Sequence, residues 1–150
     1  MGTVLLNYST QRRRGRRGMR AAADQRRLNW ISGQAVDGAV HVHGFLGPGL
    51  LESAYENCLV HELRERGLVV RTQVLVPITY KGLRLEQGYR IDVLVEESVV
   101  VEIKTVQKLH PIHEAQMLTY LRLSGHSVGL LLNFYVPRMR DGIKRIVNRL

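Results

Sequence analysis

Cysteine is almost absent from this chain. The single thiol, Cys58, excludes an internal disulfide framework and fits a reducing cytosol, so a cytoplasmic protein is expected. No apolar run approaches the roughly 18 residues of a membrane span. The six histidines and Cys58 show no zinc-type spacing; His41 and His43, two apart in an expected helix, would not share a face. The stretch GFLGPGLLES lacks the Gly-Lys-Ser/Thr ending of a phosphate loop. No glycine elbow surrounds Ser53 or Ser124, which removes the usual nucleophile arrangement. There is no internal repeat.

Acid is missing from one region in particular. Residues 1–27 hold eight arginines (12, 13, 14, 16, 17, 20, 26 and 27) against Asp24 alone. That is +7 of the chain's net +9, leaving +2 for residues 28–150. The basicity belongs to an extension, expected to be disordered, more than to the domain behind it. Three readings are open for it: a nucleic-acid-gripping arm, a targeting segment, or translation from an upstream start with Met19 the genuine one. Its apolar stretch VLL is too short for a signal-peptide core, although an arginine-rich, acid-poor start suits an organellar transit peptide. The opening MGTVLL lacks the Ser/Thr of a myristoylation signal. The late start is the favoured reading.

What remains is enough for one domain, residues 28–150, in a chain with 45% hydrophobic residues. Ile31, Ala35, Ala39, Val42 and Leu46 recur at helical spacing, and Gly47-Pro48-Gly49 breaks the run. A second helix is expected from about Leu50 to Arg66, stopped by Gly67. Strand patterns follow over Leu68–Tyr80, with Pro77 marking an edge or bulge, over Leu83–Val95, with a break near Gly88, and over Val99–Thr105. A third helix fits Pro111–Leu123, a strand Val128–Val136, and a short basic helix the end of the chain. The order predicts an α/β or α+β fold, helices packed on a mixed sheet of about four strands.

The stretch RIDVLVEESVVVEIKTV, residues 90–106, sets charges inside what read as core strands. Buried charge costs free energy unless it is paired or binds a metal. If Glu96-Glu97-Ser98 form a three-residue turn, Val95 faces Val99, Asp92 faces Glu102 and Arg90 faces Lys104. A two-residue turn would put the two carboxylates on opposite faces. Two carboxylates across a ladder repel by ~0.2–1 kcal/mol; a hard divalent cation, Mg²⁺ or Mn²⁺, turns that repulsion into coordination. Lys104, on the same face as Glu102, could orient or deprotonate a water and stabilise phosphate charge. Together these describe metal-assisted phosphodiester hydrolysis. The bland alternative is a surface salt bridge on a solvated hairpin.

Two helices add to the constellation. His113, Gln116 and Tyr120 share one stripe of the third helix, which could also be an ordinary polar face. Glu52 and Tyr55 lie together on the second helix, where Glu52 equally suits the helix dipole.

Gly49-Leu50-Leu51-Glu52-Ser53-Ala54-Tyr55 resembles the signature of the GxxExxY protein family. That family is similar to the PD-(D/E)xK nuclease superfamily, in its branch with a QxxxY motif. The likeness runs in order through VHGFLGPGLLESAY, YRIDVLVE, VVVEIKTV, HEAQMLTYL, GLLLNF and DGIKRIVN, about residues 28–148; residues 1–27 lie outside it. One departure is Ile91 in place of the proline before the Asp. The resemblance implies a restriction-endonuclease-like core. It implies Asp92 and Glu102 as metal ligands, Glu52 as an auxiliary ligand or water-holder, and Lys104 as the catalytic lysine. Gln116 and Tyr120 would match the QxxxY pair that supports the site and the nucleic-acid backbone; by their spacing and charge, Tyr55, His113 and Arg90 are expected beside them as supporting or nucleic-acid-binding residues. The expected function is a Mg²⁺-dependent (or Mn²⁺-dependent) nuclease, DNA favoured, in repair or defence. The competing reading is a non-catalytic nucleic-acid-binding or protein-interaction domain on the same fold, which the +2 charge of residues 28–150 favours slightly. A homodimer or a partner protein is compatible with so small a chain; a membrane is not expected.

Overall fold

The alternating runs of residues 70–104 fold as strands, and the sheet they begin has five members where about four were expected. The computed structural model describes residues 3–149, with side chains from residue 11 on, and the chain divides into two units, Met1–Trp30 and Ile31–Leu150. The elements are helix α1 (Thr3–Leu46), helix α2 (Glu52–Glu65), strands β1 (Val70–Tyr80), β2 (Leu83–Val95) and β3 (Val99–Lys104), helix α3 (Pro111–Ser124), and strands β4 (Val128–Asn133) and β5 (Ile143–Val147). The sheet runs in the order β1-β2-β3-β4-β5. β1, β2 and β3 form an antiparallel meander, β4 lies parallel to β3 after the α3 crossover, and β5 returns antiparallel. This is an α+β fold with a mixed sheet flanked by helices, consistent with a restriction-endonuclease-like core.

In the first unit, the arginine-rich segment expected to be disordered is helical in this structure, and every residue from 11 to 27 is exposed. Arginine and alanine are good helix formers, which favours helix over coil there. Met1 and Gly2 lie outside the described residues.

In the second unit, α1 buries Ile31, Ala35, Ala39 and Val42, the stripe its sequence spacing indicates. At Gly38 a side chain would meet Leu63 of α2 at 2.9 Å, so the small residue lets the two helices approach. α2 buries Tyr55, Leu59, Val60 and Leu63 and ends at Gly67, whose φ of +84° suits glycine. α3 lays Met117 and Leu121 against Ile91, Leu94, Val100, Leu131 and Ile146 of the sheet.

The end of the chain corrects an expectation. In place of a short basic helix, a single 3₁₀ turn, Met139–Gly142, leads into β5. Gly142 lies so close to the Asn133 carbonyl that no side chain would fit. That approach sets Ile143 opposite Leu132, and pairing with the open edge of β4 outweighs the weak helical preference of five residues.

Candidate active site

The β2–β3 turn is local chemistry with long-range consequences. Glu96 and Glu97 both take left-handed backbone, φ +51° and +49°, and the Ser98 N–H closes on the Val95 carbonyl at 3.0 Å. The strands then pair Val95 with Val99, Leu94 with Val100 and Val93 with Val101, the register that the three-residue turn predicts. On β3, Val100 packs in the α3-side cluster, so Glu102 and Lys104, in step with it, face the same way.

The ladder stops just short of the carboxylates. Beyond Val93 and Val101, the Ile103 N–H donates to Asp92 Oδ2 at 3.0 Å. Arg90 therefore does not sit across a ladder from Lys104 as expected; it pairs with Leu75 of β1 and is exposed. Asp92 has one oxygen engaged by the β3 backbone, which holds it beside Glu102.

Glu102 is only 6% exposed, and its Oε1 is buried without a hydrogen-bond partner. Burial, followed by the charge of Asp92, pushes its carboxyl up to about 8, while the Lys104 ammonium pulls the other way. Asp92, Glu102 and Lys104 thus share one electrostatic neighbourhood. The Tyr120 hydroxyl belongs to it as well: burial raises its pKa, and Glu102 and, less strongly, Asp92 raise it further. Gln116 Nε2 donates to the Tyr120 hydroxyl at 2.8 Å, so the i, i+4 pair of α3 acts as a unit at this edge.

Two supporting residues were not singled out from the sequence. Tyr89 stacks on Tyr120 with ring centroids 4.4 Å apart, and its hydroxyl donates to the Tyr120 carbonyl at 2.9 Å. Asn133, opposite Lys104 on β4, takes the Val106 N–H at 3.1 Å and donates to the Val106 carbonyl at 2.8 Å. It pins the chain leaving Lys104. The only sequence signal was an amide closing an apolar run, LLLN.

Other expected members are not brought in. Tyr55 is fully buried, stacked on Phe134 at 4.4 Å, and its hydroxyl donates to the Gly47 carbonyl at 2.6 Å and accepts the Leu50 N–H at 3.1 Å. It braces the turn before α2 from a buried position. His113 caps α3, its Nδ1 accepting the His110 N–H at 3.0 Å. Glu52 stands exposed in the first turn of α2. Among the described residues no three His, Cys, Asp or Glu side chains come together as a metal-holding group, so Glu52 does not join Asp92 and Glu102.

The pair still fits a divalent cation. A buried carboxylate oxygen with no donor, beside a second carboxylate, lacks the compensation that burial demands. Mg²⁺ is commonly held by one or two carboxylates, with water and substrate phosphate completing its shell. Two acids, not three, therefore suffice.

Residues 29–146 match the PD-(D/E)XK nuclease superfamily. Comparison with curated proteins and with solved structures returned no match.

Proposed function

The chain belongs to the PD-(D/E)XK nuclease superfamily, and from that premise we propose that it is a metal-dependent nuclease hydrolysing phosphodiester bonds of nucleic acid, with DNA favoured. The observation that carries this reading is the buried, partnerless Glu102 Oε1 beside Asp92. Asp92 and Glu102 would hold Mg²⁺ or Mn²⁺, and Glu102 gives up its proton as it does so. The bound cation would supply Lewis-acid stabilisation of phosphate charge and a more acidic water. Lys104 lies on the face of Glu102, where it orients the attacking water and offsets charge on the phosphate. Tyr120, held by Gln116, offers a hydroxyl to the phosphate backbone. Glu52 enters only as an outer acid that holds water. Where translation begins upstream of Met19, the exposed arginines of residues 11–27 supply counter-charge for a polyanion. A cytoplasmic setting in repair or defence would suit such an activity.

The test is cleavage of single- and double-stranded DNA and RNA in Mg²⁺ or Mn²⁺, with Asp92→Ala and Lys104→Ala beside the wild type. Each substitution should slow cutting by ~10²-fold or more. No cutting by any protein, together with no Mg²⁺ binding by calorimetry, would leave a non-catalytic interaction domain.

A further inference from the structure

The β1–β2 ladder keeps one register from Val70↔Val95 to Val76↔Tyr89, yet it omits one pair inside that span, Gln73 with Asp92. Gln73 is the reason. Its φ is +51°, left-handed backbone in the middle of a strand, at a residue that is not glycine. Such a conformation is strained for a residue with a Cβ and persists where the surroundings impose it.

The hairpin also changes face at this point. On β2, Leu94 and Ile91 both enter the cluster under α3, although they are three residues apart and strict alternation would place them on opposite sides. On β1, Val74 and Val76 pack against that cluster, whereas the residue opposite Leu94 is Arg71. Side-chain alternation therefore slips phase at Gln73 and Asp92. The slip is what brings Ile91, and with it Tyr89 two residues before, to the same side as Leu94, where Tyr89 stacks on the Tyr120 ring.

A clamp holds the slip in place. Gln73 Nε2 donates to both carboxylate oxygens of Glu56, at 2.8 and 3.0 Å. Glu56 lies one turn after Glu52 on α2. The strand position opposite Asp92 is thus tied to the helix that carries the outer acid.

We propose that Gln73 is a positioning residue for the Asp92–Glu102 site: its left-handed backbone, clamped by Glu56, fixes where the hairpin changes face and so aims the Asp92 carboxylate at the Ile103 N–H and at Glu102. This rests on the reading of the two carboxylates as a cation site. A partner that hydrogen-bonds a ligand directly is worth roughly 10–100-fold in metal affinity; Gln73 acts through the strand backbone, so the lower end of that range is expected.

The experiment uses the full chain and two readouts: calorimetric titration with Mg²⁺ or Mn²⁺ alone, and hydrogen exchange of the Ile103 amide without metal. Glu56→Ala, on the surface, should weaken cation binding about tenfold and expose the Ile103 amide to faster exchange. Adding Gln73→Gly to it should restore both, because glycine takes the left-handed backbone without a clamp. Gln73→Val, which resists positive φ, should lose both. A merely structural role would lower the melting temperature while leaving the two readouts unmoved, and that result overturns the proposal. So does a Glu56→Ala effect that Gln73→Gly fails to rescue. If the wild type binds no cation, the metal-site reading fails on its own, and the Ile103 amide still decides the role of Gln73.

Discussion

Ile103 gives its backbone N–H to the Asp92 carboxylate at 3.0 Å, just where the pairing of β2 with β3 ends. The strand bond and the site are therefore the same bond. Asp92→Asn keeps an acceptor for Ile103 but removes a charge a cation needs. It should fold with nearly wild-type stability and cut at least ~10²-fold more slowly. Asp92→Ala should in addition lose about 1–3 kcal/mol from the stranded N–H. Denaturant melts beside cleavage assays separate the two; equal stability of both variants would contradict the bond's role.

Glu102 predicts an unusual pH dependence. Its folded carboxyl titrates near 8, above an ordinary 4.5, so the folded state binds the extra proton. The stability this group contributes is full below about 4.5 and is lost as pH rises through about 8. In chelator, the slope should reach at most about 1.4 kcal/mol per pH unit. Mg²⁺ should reverse the loss at high pH, and Glu102→Gln should flatten it. A metal-free stability that rises from pH 5 to 8 and owes nothing to Glu102 would refute this.

Tyr55 is a brace, and its loss should show as stability. Tyr55→Phe keeps the stack on Phe134 but removes the hydroxyl between the Gly47 carbonyl and the Leu50 N–H. The expected cost is about 1–3 kcal/mol, with binding of a short duplex unchanged in chelator. A binding defect without a stability defect would return Tyr55 to the nucleic-acid surface.

Tyr120 separates the opposite way. Tyr120→Phe retains the stack on Tyr89 and gives up the bond from Gln116, so its unfolding free energy should fall by no more than about 1 kcal/mol. Cleavage should fall about tenfold, the size of one lost contact to a charged group. Unimpaired cleavage would confine Tyr120 to packing.

The exposed arginines predict a salt signature. Replacing Arg13, Arg16, Arg17 and Arg20 by glutamine should cut the slope of log affinity against log salt by about 3–4 for duplex DNA in chelator. An unchanged slope would show that this segment does not touch the phosphates.

Much of the site was legible in the sequence because it depends on short-range facts. Three turn residues between Val95 and Val99 set the β2–β3 register, and a register places Asp92 near Glu102 before any tertiary contact is known. The i, i+4 spacing of Gln116 and Tyr120 likewise follows from helix geometry alone. Gln73 was hidden for the complementary reason. Nothing in VRTQVLV announces a left-handed residue, because the conformation is imposed by which valines the α3 cluster buries and by a carboxylate seventeen positions away. Arg90 and Lys104 were set face to face only by assuming that the ladder continued.

The sequence by itself determined the helical stripe from Ile31 to Leu46, the second and third helices, the β2–β3 hairpin and the residues that could do chemistry, since periodicity and turn length act between neighbours. Only the tertiary structure decided which of those residues meet. It removed Tyr55 and His113 into bracing and capping, left Glu52 at an exposed helix end, and made a fifth strand of a short basic tail. It also buried Glu102 beside Asp92 and Lys104. The physical reason is that burial and electrostatics are sums over the whole fold, and no local pattern contains them.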